Sequence, residues 1–234
     1  MALRLDHSDD VAVLTLDRPP VNALDVELVH ALEAALADLR SAQPRGLVLA
    51  GAGKAFSAGV DTRAFAGYGP AERSRMILGI SRMVTELYGL PFPVVPAVGG
   101  HAMGGGFVLM LAGDVRVAAE DAHARLGLQE AKAGIPFPAG PLEVIRAELS
   151  PELLRRLALT SEALSTAQLH ALGVIDRLAP ADELQAVAIG LARDLSDQPG
   201  FRLVKAQLRR PVLERLHALV ASAHDPLIAA LDAP

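Results

Sequence analysis

Apolar residues in the first part of the chain follow two spacings, one typical of strands and one typical of helices. Residues 11–20, VAVLTLDRPP, alternate as a strand does and stop at a pair of prolines. After Asp25, a residue suited to capping a helix, apolar side chains recur at positions 28, 29, 32, 36 and 39. This spacing predicts an amphipathic helix that begins after Asp25 and ends near RSAQPRG, residues 40–46.

The same alternation of strand and helix continues to about residue 120. Short buried strands are predicted at GLVLAGAG (46–53), PFPVVPAV (91–98) and DVRVAA (114–119), and helices are predicted over 71–88 and roughly 105–112. Strands that alternate with helices predict an α/β core whose apolar strands are covered by helices.

The pattern becomes mostly helical after about residue 150. SPELLRRLALT, residues 150–160, begins with the Ser-Pro pair that often starts a helix. VIDRLA (174–179) predicts one more short strand, and the Ala- and Leu-rich residues 182–195 and 201–223 predict two helices. A helical extension therefore follows the α/β core.

Composition narrows the class of protein. Of the 234 residues, 51% are apolar and 21% are charged, as in soluble globular proteins. The net charge of −5 argues against a general nucleic-acid or anionic-membrane surface. The absence of cysteine excludes disulfides, thiolate nucleophiles and cysteine-ligated zinc. With no secretory pattern in MALRLDHSDD and no apolar run of about 18 residues, we expect a soluble, cytoplasmic protein.

The glycines in HAMGGGFVLM, residues 101–110, are the first candidate for chemistry. A phosphate-binding Walker loop would need Lys and Ser or Thr after its last glycine, and a dinucleotide-binding loop would need Gly or Ala where Leu109 stands. Close helix–strand packing is one remaining explanation. The other is that the N–H groups at the start of a helix, which lack partners within it, hold an oxyanion.

An oxyanion hole usually has a second donor, and GAGKAFSAGVD (51–61) supplies a candidate loop with Gly59 and Val60. About 45 residues, with one helix and one strand, separate this loop from the glycine run. That spacing allows both loops to lie at the same edge of a sheet.

Five motifs in this order and spacing resemble the crotonase (enoyl-CoA hydratase/isomerase) superfamily, and the resemblance extends from residue 1 to about 180. They are LDRPPVNAL, GKAFSAGVD, VPAVGGHAMGGG, GDVRVAAEDAHARLG and EAKAGIPFPAG. The resemblance implies an α/β fold, with a ββα superhelix core and a C-terminal helical trimerisation region. We therefore expect an acyl-CoA-binding core over residues 1–195 and a helical segment over 196–234.

The resemblance also implies a substrate and a set of binding groups. In this superfamily two backbone N–H groups hold the thioester oxygen of an acyl-CoA as it becomes an enolate; here they would be those of Val60 and Gly105. The carbonyl of Ala58 would meet the adenine amino group of CoA, and Val21 would lie along the CoA path. CoA enters as part of the substrate, so no other cofactor and no metal are expected.

Cations near the CoA phosphates are less clearly indicated. Lys54 precedes the adenine loop and Arg63 follows it, so each is a candidate phosphate ligand or an ordinary solvated loop charge. In related trimers the C-terminal tail can reach a neighbouring active site, which makes Lys205 a third candidate.

The carboxylates depart from the pattern of many hydratases in this superfamily. Their first glutamate, two residues after the third glycine, is replaced by Val108, whereas the second is retained as Glu130, with Gln129 in place of the usual proline. Adding water to an enoyl thioester is best served by two acid/base groups, but a 1,3 shift of a double bond needs one base. The single carboxylate favours an isomerase.

Other interpretations stay open at this stage. Glu130 could be an ordinary helix-end charge, and His101 could be an alternative base, although a packed or surface histidine is the simpler interpretation. Asp61 and Asp114 are interpreted as caps or hydrogen-bond anchors. Hydration, thioester hydrolysis, decarboxylation and a non-catalytic CoA-binding role compete with isomerisation, and RNA binding is disfavoured by the acidic charge and the eight aromatic residues.

The C-terminal helices predict assembly. LQAVAIGLA (184–192) and LHALVASAHDPLIAAL (216–231) carry apolar faces that must be buried against something. Together with the resemblance, this predicts a homotrimer or a hexamer built as a dimer of trimers.

Overall fold

The computed structural model describes residues 2–121 and 123–231, and the elements below are those of the described residues. The strands are β1 (Leu3–Ser8), β2 (Val11–Leu16), β3 (Gly46–Gly51), β4 (Ala55–Ser57), β5 (Val94–Val98), β6 (His101–Met103), β7 (Val117–Ala119), β8 (Leu126–Gly127) and β9 (Arg177–Ala179). The helices are α1 (Val26–Ala42), α2 (Thr62–Gly67), α3 (Pro70–Tyr88), α4 (Gly105–Leu111), α5 (Glu130–Ala133), α6 (Ala139–Glu148), α7 (Pro151–Thr160), α8 (Thr166–Ala171), α9 (Leu184–Ser196), α10 (Phe201–Ser222) and α11 (Pro226–Leu231). Within the described ranges, no helix combines the length and the apolar character needed to cross a membrane.

The main sheet is buried on both faces. Its six strands follow the order β1-β2-β3-β5-β7-β9, and all neighbours are parallel except the antiparallel pair β1 and β2. Alternate residues of β2 belong to two apolar clusters, Ala12 and Leu14 to one, Val11 and Val13 to the other. Helices α1 and α3 contribute to the first cluster and α9 to the second. The expected α/β core with covered strands is confirmed.

A second sheet, smaller than the first, carries the loops of interest. Strands β4, β6 and β8 are mutually parallel and have three, three and two residues. Because neighbouring parallel strands end at the same edge, the loops after β4 and β6 are brought together. The two loops do share a sheet edge, as the spacing allowed, but the edge belongs to this second sheet.

The predicted helix starts have the expected chemistry. Asp25 Oδ1 accepts a hydrogen bond from Leu28 N at 2.8 Å at the start of α1, and Ser150 Oγ accepts one from Leu153 N at 3.3 Å at the start of α7. All five apolar positions assigned to α1 are buried. The helices predicted over 71–88 and 105–112 correspond to α3 and α4.

The C-terminal helices pack on the core differently from the expectation. In α9 the apolar face is buried within this chain against β3, β5 and β7, and Leu216 and Leu227 further on are also buried. Among the described residues from α9 onward, the large apolar side chains that stay exposed lie on α10: Leu203, Val204 and Leu208. The faces assigned to assembly from the sequence therefore already have partners in the same chain.

The side chain of Lys205 also has its hydrogen-bond partners within its own chain. This side chain is buried, and its Nζ donates to Asp114 Oδ2 at 2.6 Å and to the carbonyl of Phe92 at 2.7 Å. Asp114 also accepts from Val94 N and pairs with Arg209 at 2.9 Å, which confirms it as a hydrogen-bond anchor. This arrangement gives no support to a role for Lys205 in a neighbouring site.

Candidate active site

The loop after β4 leaves one backbone N–H unused. The segment that follows the cis Pro19-Pro20 peptide pairs with this loop. In that segment, the N–H of Leu24 donates to Gly59 O at 2.7 Å. The loop N–H groups on either side of Val60 all have acceptors. Ala58 N donates to Val21 O at 2.9 Å, and Gly59 N donates to Ser57 Oγ at 3.2 Å. Asp61 N donates to Leu24 O at 2.8 Å. The N–H of Val60 has no acceptor among the described residues.

The loop after β6 approaches the first loop through its glycines. Gly104 has φ = +50°, a conformation that favours glycine, and a Cβ on Gly106 would overlap the carbonyl oxygen of Ser57. A Cβ on Gly105 would lie 3.9 Å from the backbone nitrogen of Val60. The N–H of Gly105, at the first turn of α4, likewise has no acceptor in the described part of the chain. Two free donors thus lie side by side.

A cavity of about 120 Å³ lies beside these donors. Ala58, Val60, Gly104 and Gly105 line it together with Glu130. Most of the remaining wall is apolar and comes from α2, α3, the segment before α6 and α11: Phe65, Ile77, Ile80, Ile135, Pro136, Pro138 and Leu227. The cavity can therefore receive a polar carbonyl at one part of its wall and an apolar chain along the rest.

Glu130 is the one ionisable side chain among the described residues that line this cavity. It begins α5, and its Oε2 accepts a hydrogen bond from Gln129 N at 2.8 Å. Its Oε1 would lie 3.3 Å from a Cβ on Gly104. Burial raises the pKa of this carboxyl above its ordinary value, and backbone hydrogen bonds partly oppose the rise. A carboxylate with increased proton affinity can act as a base toward carbon-bound protons.

The position of the missing glutamate is apolar and buried. Val108 lies on α4, is 1% exposed and belongs to the apolar cluster that packs against the main sheet. It does not line the cavity. Glu130 is therefore the described lining side chain that could act as an acid or base in this cavity.

The other sequence candidates lie at different distances from the cavity. Val21 is exposed and its carbonyl accepts the hydrogen bond from Ala58, so it is adjacent to the first loop. Lys54 and Arg63 are both exposed; Lys54 precedes β4, whereas Arg63 lies beyond the far end of that strand, on α2. His101 is exposed outside the lining, and its Nδ1 accepts from Arg125 N at 3.1 Å.

Two residues that sequence reasoning missed hold β4 and the loop that follows it in place. Asn22 is 1% exposed, and its Nδ2 donates to the carbonyls of Ala52 and Ala55 at 2.9 and 2.8 Å. Arg18 bridges Asp25 and Asp61, at 2.7 and 3.1 Å. Both lie within LDRPPVNAL, and the asparagine that closely follows two prolines was the available signal.

Asp61 has the capping role expected of it. Its Oδ1 accepts from Ala64 N at 3.0 Å at the start of α2, and this backbone hydrogen bond holds the pKa of its carboxyl below the ordinary range. The Arg18 pair acts in the same direction. The carboxylate thus stays charged and fixes the turn that follows Val60.

Comparisons with known proteins agree with this geometry. Residues 6–227 match the family model described as enoyl-CoA hydratase/isomerase. The chain is 36% identical over 196 residues to a carnitinyl-CoA dehydratase of Salmonella arizonae, which covers 83% of this chain and 74% of that relative.

Solved structures give the same result. An enoyl-CoA isomerase of Mycobacterium tuberculosis superimposes with a TM-score of 0.86 at 26% identity over 98% of each chain; a second structure describes that protein as a probable enoyl-CoA hydratase. Human mitochondrial delta3-delta2-enoyl-CoA isomerase superimposes with a TM-score of 0.91 over 99% of this chain and 92% of its own, and its 23% identity bears on the fold alone. This chain belongs to the enoyl-CoA hydratase/isomerase family and has the crotonase fold with a C-terminal helical region.

Proposed function

We propose that this protein isomerises the double bond of an enoyl-CoA, converting a 3-enoyl thioester into the conjugated 2-enoyl thioester. The observation that carries the proposal is the presence of one carboxyl side chain, Glu130, in a cavity lined by two backbone donors, with Val108 where a second carboxyl would stand. The family membership supports a CoA thioester as the substrate.

The proposed reaction uses one base twice. Glu130 removes a proton from C2, the electrons of that C–H bond form a dienolate, and its negative charge develops on the thioester oxygen. The N–H groups of Val60 and Gly105 stabilise that oxygen, because donors already fixed in the backbone need no rearrangement as the charge forms. The protonated Glu130 then returns the proton to C4, which leaves a double bond between C2 and C3.

The raised pKa of Glu130 suits both steps. A carboxylate that binds its proton more tightly than usual is a stronger base toward C2, and its acid form is still able to donate to C4. The apolar walls exclude water from the dienolate, which disfavours capture of the intermediate by a competing reaction.

The CoA portion is proposed to follow the exposed side of the first loop. The carbonyl of Ala58 is the proposed acceptor for the adenine amino group, with Val21 beside it. Arg63 and Lys54 are the proposed phosphate ligands; Arg63, one residue after the cavity-lining Thr62, is the nearer along the chain. These assignments rest on the motifs in which the residues lie.

Dehydration of a 3-hydroxyacyl-CoA, and its reverse, is the second candidate. The 36% identity to a protein named carnitinyl-CoA dehydratase favours it. The same two N–H groups would serve the enolate in that reaction, but Glu130 alone would have to manage both the proton at C2 and the departing hydroxyl.

Separate incubations with a 3-enoyl-CoA and a 2-enoyl-CoA distinguish the two candidates. Isomerisation of the 3-enoyl substrate creates the conjugated thioester and raises its absorbance, whereas hydration of the 2-enoyl substrate removes that absorbance. A rise with the first substrate and no loss with the second supports the isomerase. Loss with the second substrate and no rise with the first overturns it in favour of the hydratase.

A further inference from the structure

Leu227, on α11, contributes to the wall of the cavity that holds Glu130. It is 4% exposed, yet it belongs to neither apolar cluster of the main sheet. Ile77 on α3 has the same combination, 2% exposed and outside both clusters, and lines the same cavity. These two side chains are therefore buried around the cavity rather than in the core that supports the sheet.

Asp225 links Leu227 to a second segment of the wall. This carboxylate is 2% exposed, and each of its oxygens has a backbone donor: Leu227 N at 2.9 Å on Oδ1 and Ala139 N at 2.8 Å on Oδ2. Ala139 directly follows Pro138, another wall residue. One buried carboxylate thus holds the C-terminal helix and the segment before α6 at a set separation.

The cavity is small and partly open to solvent, and Glu130 is the one ionisable side chain among its described lining residues. An apolar protein cavity of about 150 Å³ accepts a benzene-sized molecule, so 120 Å³ suits an acyl chain of about six carbons or fewer. Phe65 is the one aromatic side chain among the described residues of the wall, too few for the cage of rings that recognises quaternary ammonium groups. A neutral aliphatic chain fits these walls best.

We propose that Leu227 is the chain-length stop of the acyl cavity and that Asp225 is its positioning residue. The substrate class that follows is a short, neutral acyl-CoA with an acyl chain of about four to six carbons. This inference rests on the proposed function, because it places the acyl group of the substrate in the cavity beside Glu130. It assigns to the C-terminal segment a part in substrate selection in addition to any part in assembly.

Binding of saturated acyl-CoAs tests the stop without requiring the reaction. Calorimetric titration of the full-length protein with butanoyl-, hexanoyl-, octanoyl- and decanoyl-CoA should show an affinity that rises by about fourfold per methylene and then levels off near six carbons. Leu227→Ala removes three carbon atoms from the wall. We expect it to move the plateau two to three carbons higher, with the ratio of octanoyl-CoA to butanoyl-CoA affinity increased about tenfold.

Two further variants separate selection from stability. Leu227→Trp fills the cavity and should move the plateau to shorter chains, opposite to Leu227→Ala. Asp225→Asn, whose amide nitrogen cannot accept a hydrogen bond, should loosen the stop and raise the octanoyl-to-butanoyl affinity ratio, but by less than Leu227→Ala does. Leu216→Ala is the matched control: this leucine of α10 is 0% exposed, packs in the main apolar cluster and does not line the cavity. It should lower stability and leave the chain-length profile unchanged.

The outcomes keep this inference distinct from the isomerase proposal. Opposite shifts in the two Leu227 variants support the stop even when no isomerisation is detected. An unchanged profile in both, in folded protein that isomerises enoyl-CoA, overturns the stop and leaves the isomerase standing. Equal shifts in Leu227→Ala and Leu216→Ala also overturn it, because a general loosening of the fold would then account for the effect.

Discussion

A Cβ atom on Gly59 would lie 2.8 Å from the backbone nitrogen of Gly105 and 2.5 Å from the carbonyl oxygen of Met103. The loops after β4 and β6 therefore meet backbone to backbone, at a separation that only glycine permits. Gly59 also has φ = +79°, which other residues rarely adopt. This contact fixes the distance between the two free N–H groups on which the proposed oxyanion hole depends.

Gly105→Ala tests that hole with little damage to the fold. The new Cβ meets Leu24 Cδ1 at 3.1 Å, the end of a flexible side chain, and it projects toward Val60 N at 3.9 Å, where the thioester oxygen is proposed to lie. Alanine keeps the backbone N–H, but its methyl group would displace the thioester oxygen from the two donors. Loss of one oxyanion hydrogen bond typically costs about 10²–10³ in turnover, and we expect a loss of that order. Gly105→Val should abolish acyl-CoA binding as measured by calorimetry.

Gly190→Ala is the control for both variants. Gly190 lies in α9, and a Cβ added there would have no neighbour within 4 Å among the described residues, so alanine should stabilise the helix by roughly 0.5–1 kcal/mol and leave kcat and KM unchanged. If folded Gly105→Val protein bound acyl-CoA with wild-type affinity, the assignment of the Gly105 N–H as an oxyanion donor would be wrong.

Glu130→Gln should lower turnover of the 3-enoyl substrate by about 10²–10⁴, the usual contribution of a general base. Glutamine keeps the shape and can still accept from Gln129 N, so acyl-CoA affinity should change little. The comparison is His101→Gln, which alters the exposed alternative base and should retain activity. Retained turnover in Glu130→Gln together with loss in His101→Gln would transfer the role to His101.

The raised pKa of Glu130 predicts a pH-dependent effect on stability. Because the folded protein binds this proton more tightly than the unfolded chain, the charged form costs folding free energy at pH values above the raised pKa. Below 4.5, the ordinary value, both states carry the proton and the cost disappears. Glu130→Gln should therefore unfold at higher urea concentration than wild type at pH 7, with a difference that shrinks toward pH 4. The same titration should make isomerase activity fall as the pH decreases through the raised pKa.

The cluster around Asp114 predicts a ranking of two substitutions. Asp114→Ala removes the carboxylate that pairs with both Lys205 and Arg209 and leaves two buried cations together, a change that typically costs about 3–5 kcal/mol. Lys205→Met leaves Asp114 paired with Arg209 and should cost clearly less. Urea unfolding of the two variants measures the ranking, and equal losses would contradict it.

Titration of Lys205 should make the contribution of the same cluster to stability depend on pH. Burial lowers the pKa of Lys205 to about 8, against 10.5 in the unfolded chain, although the Asp114 carboxylate opposes the shift. Between these values the unfolded chain holds the proton that the folded protein has lost, so stability contributed by Lys205 increases with pH. The stability of wild type relative to Lys205→Met should thus rise from pH 8 to pH 10.5. A flat difference would mean that Asp114 keeps Lys205 charged throughout.

The spacing of apolar residues in the sequence was sufficient to predict the longer strands and helices that bury one or both faces. Strands β2, β3 and β5 and helices α1 and α3 have enough residues for a repeat to be visible, and the side-chain cap Asp25 marks the start of α1. The three-residue strands β7 and β9 were predicted from the apolar stretches DVRVAA and VIDRLA in which they lie. β1 was missed because four of its six residues are exposed at the edge of the sheet, so its pattern is polar. The residues of a polar edge strand do not show which strand it pairs with.

The second sheet could not be predicted from periodicity. Strands of two or three residues contain too few positions to establish an alternation, and β4 and β6 do not lie in long apolar stretches, yet they place the two loops side by side. Glu130, Val60 and Gly105 were found through the motifs of a family, and the structure places all three on one cavity wall. Leu227 and Asp225 had no such motif, because their partners on α3 and before α6 lie far away in the sequence.

Assembly into trimers or hexamers is the remaining expectation, and the exposed face of α10 gives it a specific test. Leu203, Val204 and Leu208 are 73%, 53% and 74% exposed, an arrangement that favours burial against another chain. We expect light scattering at micromolar concentration to give three or six times the 24.5 kDa chain mass. Deleting residues 196–234 would be a poor test, since it also removes Val212, Leu216 and Leu227 from the interior of the same chain.

Charge substitution on α10 isolates the interface from the fold. The double variant Leu203→Glu/Leu208→Glu places two carboxylates where an apolar contact is predicted and removes no buried side chain, so the protein should remain folded and dissociate. Leu159→Glu is the matched control, because this leucine of α7 is 72% exposed and lies on a different surface. Its mass should equal that of wild type. A monodisperse wild-type monomer, or equal dissociation of both variants, would show that the exposed leucines of α10 are not the assembly surface.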